Sequence, residues 1–294
     1  MKKFPVFIFF LITLTFTINA QVSRDSINFL ISEWDRTLLS SRFDKQLNTF
    51  NLYGGINLGR SFSGGFAGLR ENYNSTMIRS TPRNIKDEHF FSFITEYNII
   101  ENVKAGLFAN NSILSDDRKM ALNQASVSDV SLYLKYIPED RLYFAPFGGY
   151  SLNNQIGEKD NGYLYGFEGV AGGLSLSDFV LLSSVKFMNE DISPRKNSLR
   201  FFNFSLTNDM NESGKNALTG YYSENRKDFY YPTDSTTSAL FGITNNIQSR
   251  IETNYFLEDR FRIPGFYEGL TFEVAGRSGW REVDRNTRYM TLSN

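Results

Sequence analysis

The sequence predicts an all-β fold: an antiparallel up-and-down β-barrel of about 12–14 or more strands that spans a membrane, with a short N-terminal helix. Three observations predict this fold. Apolar and polar residues alternate along most of the chain after residue 51, the connections between the alternating segments are short and long in turn, and the chain opens with an export signal. After that signal no apolar run approaches the ~20 residues of a membrane-spanning helix.

The export signal has the usual three parts. Lys2 and Lys3 precede an apolar run at 4–16, and a small residue stands at the expected cleavage site. This layout is typical of a secretory signal peptide and is too short for a comfortable membrane span. We therefore predict that residues 1–20 are removed and that the mature chain begins at Gln21.

Composition excludes several classes of protein. The chain has no Cys, which excludes disulfides, thiolate metal sites and a lipid anchor at the cleavage site. Loss of the two signal lysines changes the net charge from −1 to −3, which gives no reason to expect nucleic acid as a partner. Neither a cofactor nor a metal ion is predicted.

One helix is predicted at the start of the mature chain. Its apolar residues follow a helical period behind a candidate cap at Asp25. These residues are Ile27, Leu30, Ile31, Trp34, Leu38 and Leu39. We assign 21–50 to a periplasmic N-terminal segment and 51–294 to the barrel. The helix either plugs the barrel or docks a partner, or it is a lead-in packed against the barrel rim, and we favour the lead-in.

The period then changes to two, which places successive side chains on opposite faces of a strand. The clearest example has Val130, Leu132, Leu134 and Tyr136 on one face and Ser131, Tyr133 and Lys135 on the other. We predict strands at 89–98, 103–113, 127–137, 141–152, 162–172, 179–188, 199–207, 216–225, 235–244, 247–257 and 267–280. The Gly-rich segment 52–70 holds one or two more, and a further strand is expected from residue 285.

The connections between these strands alternate in length. Short turns are predicted at 98–102, 138–140, 173–178, 208–215 and 245–246. Longer polar stretches lie at 114–126, 153–161, 189–197, 225–234 and 258–265. Short turns on one side of the membrane and long loops on the other are typical of membrane barrels, with the long loops outside the cell.

The sequence resembles the Gram-negative outer-membrane β-barrel class as a whole. The resemblance rests on the export signal, the alternation at 130–136 and the alternation of short and long connections. The resemblance implies a location in the outer membrane, with outer-membrane lipid and the barrel-assembly machinery as partners. Such barrels commonly end on an aromatic residue, whereas this sequence ends Leu292-Ser293-Asn294. Either the assembly signal is atypical or the chain is a piece of a longer protein, and we favour the piece slightly.

Six charged residues occupy the alternate strand positions that are predicted to face the inside of the barrel, and they are candidates for lining the lumen. They are Lys135, Glu168, Arg250, Glu252, Glu273 and Arg277. Both signs are present, so these residues either line a weakly selective water-filled pore or pair as a packed polar core. Aromatic residues near strand ends favour interfacial girdles, among them Tyr143, Tyr150, Tyr163, Tyr165 and Tyr230. Tyr133 and Phe256 have lumen parity, and they keep a sugar-binding ladder as an alternative.

The expected function is a porin-like pore, or the barrel part of a transporter for small solutes. The alternative is a structural or secretion-associated barrel that anchors partner proteins, including a periplasmic one. An enzyme is not expected. The single histidine, His89, lies three residues from Ser92, and this spacing places them on opposite faces of a strand. The acidic residues Asp116, Asp117 and Asp228 are interpreted as solvated loop charges.

Overall fold

A computed structural model describes residues 38–45, 48–79, 84–117, 124–209, 214–265, 267 and 270–289. The described residues form one sheet of 13 strands and one short helix, α1 (Ser235–Phe241). The strands are β1 (Leu38–Lys45), β2 (Thr49–Phe62), β3 (Gly65–Ile78), β4 (Asn84–Ile100), β5 (Val103–Asp116), β6 (Ala125–Glu139), β7 (Leu142–Gln155), β8 (Glu158–Leu176), β9 (Phe179–Ile192), β10 (Arg195–Asp209), β11 (Lys215–Pro232), β12 (Asn245–Pro264) and β13 (Thr271–Tyr289).

Each strand pairs antiparallel with its neighbour in sequence, and β1 and β13 are the two edge strands. The all-β class and the up-and-down order are confirmed. The Gly-rich segment contributes to two strands, β2 and β3, and the sheet begins before the predicted boundary at residue 51. Leu38 and Leu39 begin β1, although the sequence placed them in the N-terminal helix. The rest of that helix and the signal peptide lie outside the described residues.

The strands are longer than the sequence predicted, because polar residues continue the backbone ladders past the apolar segments. The predicted loop at 153–161 is a hairpin of β7 and β8 joined by the two residues Ile156 and Gly157. Both have positive φ, 48° and 91°, as in the turns that match the twist of antiparallel strands. The predicted loop at 189–197 is likewise a hairpin, with β9 ending at residue 192 and β10 beginning at 195.

The predicted strand at 235–244 is wrong, because this segment contains helix α1. Asp234 caps the helix by accepting a hydrogen bond from the Thr237 backbone N–H at 2.9 Å, and Gly242 ends it in the left-handed conformation. Hydrogen bonds from the Thr237 hydroxyl and backbone hold the pKa of the Asp234 carboxyl below its ordinary value. Within the described part of the chain, no helix has the length and apolar character to cross a membrane.

Because helix α1 replaces one predicted strand, the last two predicted connections lie at the end of the sheet opposite to the one expected. We call the end of the sheet where β5, β7, β9 and β11 finish the upper end, and the opposite end the lower end. The predicted short turn at 245–246 lies at the upper end, where β12 begins, and the predicted long loop at 258–265 lies at the lower end, where β12 finishes. The predicted long stretches at 114–126, 153–161, 189–197 and 225–234 all lie at the upper end, as expected.

The two faces of the sheet have opposite chemistry, and the apolar face is the exposed one. On β6, Val130, Leu132 and Leu134 are 49%, 63% and 52% exposed. Their neighbours on the other face, Tyr133 and Lys135, are only 3% and 4% exposed. This arrangement inverts that of a water-soluble protein, in which apolar side chains fill the interior.

The polar face is concave. The Arg195 side chain on β10 donates to Gln155 at 2.9 Å and to Asn153 at 2.8 Å, and both of these residues lie on β7. Neighbouring strands are ~4.8 Å apart, so strands three positions apart in a flat sheet would be separated by roughly 14 Å. Direct side-chain bonds across this separation require the sheet to curve strongly toward its polar face.

Candidate functional site

The concave polar face is the candidate functional surface. Cross-strand register links Glu168 to Lys186, Lys186 to Phe201, Phe201 to Ser223 and Ser223 to Asn254. Directly opposite residues share a face of an antiparallel sheet. The same alternation along each strand places all six residues that were predicted from inward parity on this one face. Lys135 and Glu168 lie in a buried cluster, whereas the other four lie on β12 and β13.

The buried cluster at the lower end is built around Glu96 of β4. Its two carboxylate oxygens accept from different lysines, Lys104 at 3.2 Å and Lys135 at 3.2 Å. The Tyr133 hydroxyl donates to the same carboxylate at 3.1 Å. Three adjacent strands, β4, β5 and β6, are therefore joined through one carboxylate that is nearly inaccessible to solvent.

A second carboxylate extends this cluster across β7, β8 and β9. Glu168 accepts a hydrogen bond from the Tyr143 hydroxyl, and Lys186 lies 3.8 Å from its other oxygen. The Lys135 ammonium lies 5.1 Å from the centre of the Tyr143 ring, which connects the two halves through a cation–π contact. We call Glu96, Lys104, Tyr133, Lys135, Tyr143, Glu168 and Lys186 the Glu96 cluster. Its buried charges are paired, as burial requires.

A glycine makes room for the central tyrosine. Gly106 on β5 lies directly opposite Tyr133 on β6. A Cβ atom at Gly106 would overlap the Tyr133 ring. The absence of a side chain on β5 therefore lets the aromatic ring lie against the backbone and reach Glu96.

A second buried cluster lies at the upper end around Arg195, the first residue of β10. Its Nε donates to Asp160 at 2.5 Å, and its two terminal nitrogens donate to Gln155 at 2.9 Å and to Asn153 at 2.8 Å. The guanidinium lies 4.7 Å from the centre of the Tyr230 ring. We call Asn153, Gln155, Asp160, Arg195 and Tyr230 the Arg195 cluster.

The β11–β12 hairpin reaches this cluster from the far side of β10. The Tyr230 hydroxyl donates to Asp160 at 3.0 Å, and its backbone N–H donates to Gln155 at 3.1 Å. One strand further on, Asn245 bonds to Glu158. The upper part of the hairpin is thus held against the β7–β8 hairpin, which draws this end of the sheet together.

The remaining predicted charges form an open strip on β12 and β13. Arg277 donates to Glu258 from two nitrogens at 2.8 and 2.6 Å, and Arg260 donates to the other oxygen of Glu258 at 2.7 Å. Glu273 lies 3.4 Å from Arg260. The Arg260, Glu273 and Arg277 side chains are 39%, 51% and 60% exposed, so they lie open to solvent, whereas Glu258 between them is largely buried.

The aromatic residues divide between the two faces. Tyr150, Tyr163 and Tyr165 are 42%, 70% and 43% exposed on the apolar face, toward the upper end. They remain candidates for the predicted girdle. Tyr143 and Tyr230 were expected in the same girdle but are buried with charged partners, so that expectation is wrong for both.

Four further predicted residues are placed by the structure. His89 lies 2.8 Å from Glu71 on the apolar face, whereas Ser92 is buried on the polar face and donates to Asn110. Asp116 is buried at the end of β5 and Asp228 is buried within β11, so their interpretation as solvated loop charges is wrong. Asp228 accepts from the Arg226 guanidinium at 3.1 Å.

Sequence reasoning missed Glu96, Asp160, Arg195 and Glu258, which hold the polar clusters together. Their inward parity was the available signal, but their partners lie on other strands, and only the curvature brings them together. No protein-family model matches the chain, no curated protein matches it, and no solved structure matches it.

Proposed function

We propose that the chain is an outer-membrane β-barrel that forms a porin-like pore or the barrel part of a transporter for small solutes. The observation that carries this proposal is the inversion of the two faces. Apolar residues such as Leu132 are exposed on the convex face, and charged residues such as Lys135 lie on the concave face. A lipid bilayer solvates the first surface, and water or polar solutes solvate the second.

The strand geometry supports the same proposal. The described sheet has 13 strands, and each strand after β1 has at least 14 residues. About 9–11 residues cross a bilayer at a tilt, so these strands are long enough to cross and extend beyond the hydrocarbon. Closure of that many strands would enclose a lumen wider than the one that side chains fill in barrels of about eight strands.

Two measurements test the proposal in sequence. The mature protein, exported in a Gram-negative host, should fractionate with the outer membrane and begin at Gln21. Folded protein added to planar lipid bilayers should then give stepwise single-channel currents. Recovery of the mature chain as a soluble periplasmic protein would contradict the membrane assignment.

The orientation is tested by epitope insertion. An epitope placed after Gly242, beyond helix α1 at the upper end, should bind antibody on intact cells. One placed after Asp140, in the tight connection between β6 and β7 at the lower end, should bind only after the outer membrane is permeabilised. The reverse pattern would invert the proposed topology.

A second candidate function is a barrel with a closed lumen that anchors partner proteins. The two buried clusters favour it, because they bond strands up to four positions apart and occupy space on the concave face. A correctly folded, membrane-inserted barrel that gives no current would support this candidate over the pore.

A further inference from the structure

Three positive side chains lie in line across three neighbouring strands at the upper end. Lys227 on β11 is directly opposite Arg250 on β12, and Arg250 is directly opposite Arg285 on β13. Directly opposite residues share a face and have Cβ atoms about 4.5–5.5 Å apart, and like charges in such pairs are destabilising. The row therefore needs negative charge from another source.

The described neighbours supply only part of that charge. Glu252 lies 3.2 Å from Arg250 and 2.8 Å from a fourth cation, Arg281 of β13. Neither Lys227 nor Arg285 forms an ion pair with a residue that the structure describes. We call Lys227, Arg250, Arg281 and Arg285 the basic patch, in which four cations share one described carboxylate.

Two other cations on the same face of β12 and β13 are compensated. Arg260 and Arg277 together use both oxygens of Glu258, and Arg260 also approaches Glu273. The positive excess is therefore larger in the upper part of the strip, where four cations lie with one carboxylate, than in the lower part, where four cations (Lys215, Arg260, Arg262 and Arg277) lie with two. The side chains there are accessible, with Arg250 and Arg281 41% and 63% exposed.

We infer that the basic patch binds an oxyanion of the phosphate type, carried by a solute that enters from the upper end. The inference rests on the proposed function, because it names the class of solute for the same concave surface. Guanidinium groups present forked pairs of N–H donors that match the oxygens of a phosphate, and Lys227 adds a point charge. Arginines on adjacent strands can donate to one anion together, which relieves their mutual repulsion.

Binding of inorganic phosphate to the folded, detergent-solubilised protein tests the patch without requiring a pore. Calorimetric titration should detect binding to the unaltered protein. The double variant Arg250→Gln/Arg285→Gln should bind at least ~10-fold more weakly, since each hydrogen bond to a charged group is worth roughly one to two orders of magnitude in affinity. The matched control is Arg262→Gln, an exposed arginine on the same face of β12 at the lower end, and it should bind as the unaltered protein does.

Equal binding by the unaltered protein and the double variant would overturn the inference, as would no binding at all. If the double variant does not fold, as judged by circular dichroism, the single variant Lys227→Gln gives the same comparison at an exposed position. Loss of phosphate binding in that variant supports the patch, and unchanged binding overturns it.

Two further comparisons separate the patch from the pore and the solute from a lipid. Phosphate binding without any channel current would retain the patch and overturn the pore, whereas current without phosphate binding would do the reverse. The same phosphate chemistry occurs in lipid headgroups. Preference for anionic over neutral lipid vesicles that is lost in the double variant, without binding of free phosphate, would assign the patch to lipid and overturn the solute.

Discussion

Replacement of Arg195 by alanine should strongly destabilise the folded protein. Arg195 is 2% exposed and bonds to Asp160, Gln155 and Asn153. The variant leaves Asp160 buried with only the Tyr230 hydroxyl as a partner from this cluster. It also removes the Arg195 donor from the side-chain amides of Asn153 and Gln155, of which Gln155 keeps the Tyr230 backbone N–H. Removal of one member of a buried ion pair costs about 3–5 kcal/mol.

A matched control separates this cost from the loss of an arbitrary surface charge. Lys196, the next residue, lies 3.5 Å from Asp191, but its side chain is 62% exposed. Lys196→Ala should therefore change the free energy of unfolding by only ~0–1 kcal/mol. The two variants remove positive charges from adjacent residues at the start of β10, and the two side chains differ mainly in burial.

Urea unfolding of the protein in lipid vesicles, followed by circular dichroism, measures both variants on one scale. The midpoint should fall markedly for Arg195→Ala and little for Lys196→Ala, with similar slopes against urea concentration. If the two variants lost the same free energy of unfolding, the Arg195 cluster would not stabilise the upper end as the structure indicates.

Three further predictions concern other parts of the sheet. In the proposed membrane-spanning barrel, Leu132→Arg should cost ~2–4 kcal/mol in vesicles because it places a charge in hydrocarbon. Glu273→Arg loses the Arg260 ion pair and lies opposite Arg262, so it should cost ~1 kcal/mol or less; equal losses of the two variants on urea unfolding would contradict the assignment of the two faces. Gly106→Val should displace Tyr133 and cost ~1–3 kcal/mol by overpacking, and an unchanged unfolding midpoint would contradict this contact. Because the pKa of Asp234 is lowered in the folded protein, its capping contribution to stability is complete above the unfolded pKa of ~3.9 and is lost as pH falls through the lower folded pKa. Hydrogen exchange in helix α1 should show this loss at low pH. Asp234→Ala should abolish this pH dependence.

The face of each strand could be predicted from the sequence, because strand geometry fixes it. Alternation at 130–136 placed Leu132 on the exposed face and Lys135 on the buried face, as the structure shows. The ends of the strands could not be predicted in this way. Polar residues such as Asn154 and Lys159 pair within the ladder of β7 and β8, and backbone pairing does not depend on apolar side chains.

Helix α1 was missed although its signals were present. Asp234 before the segment and Gly242 after it are common helix caps, but the apolar residues between them favoured a strand. One extra strand then reversed the direction of everything after it, which explains the misplaced connections at 245–246 and 258–265. Errors of this kind propagate in an up-and-down sheet because every strand inverts the next.

The partners within the two clusters lay beyond sequence reasoning for a different reason. Parity assigned Lys135 and Glu168 to one face, but it carries no information about curvature. Arg195 meets Gln155 only because the sheet bends through three strand spacings. The sequence could therefore predict which side chains share a face and could not predict which of them touch.

The bonds at the upper end also constrain the order in which the protein folds. Each β-hairpin joins residues close in sequence, whereas Arg195 is 35 residues from Asp160, Tyr230 is 70 from Asp160, and Asn245 is 87 from Glu158. Contacts between distant residues carry a larger loop-closure entropy and form late when local pairing is available. We expect the Arg195 cluster to be absent from the folding transition state, so Arg195→Ala should accelerate unfolding and leave the folding rate nearly unchanged. The last event in folding would then be the docking of the β11–β12 hairpin onto the β7–β8 hairpin.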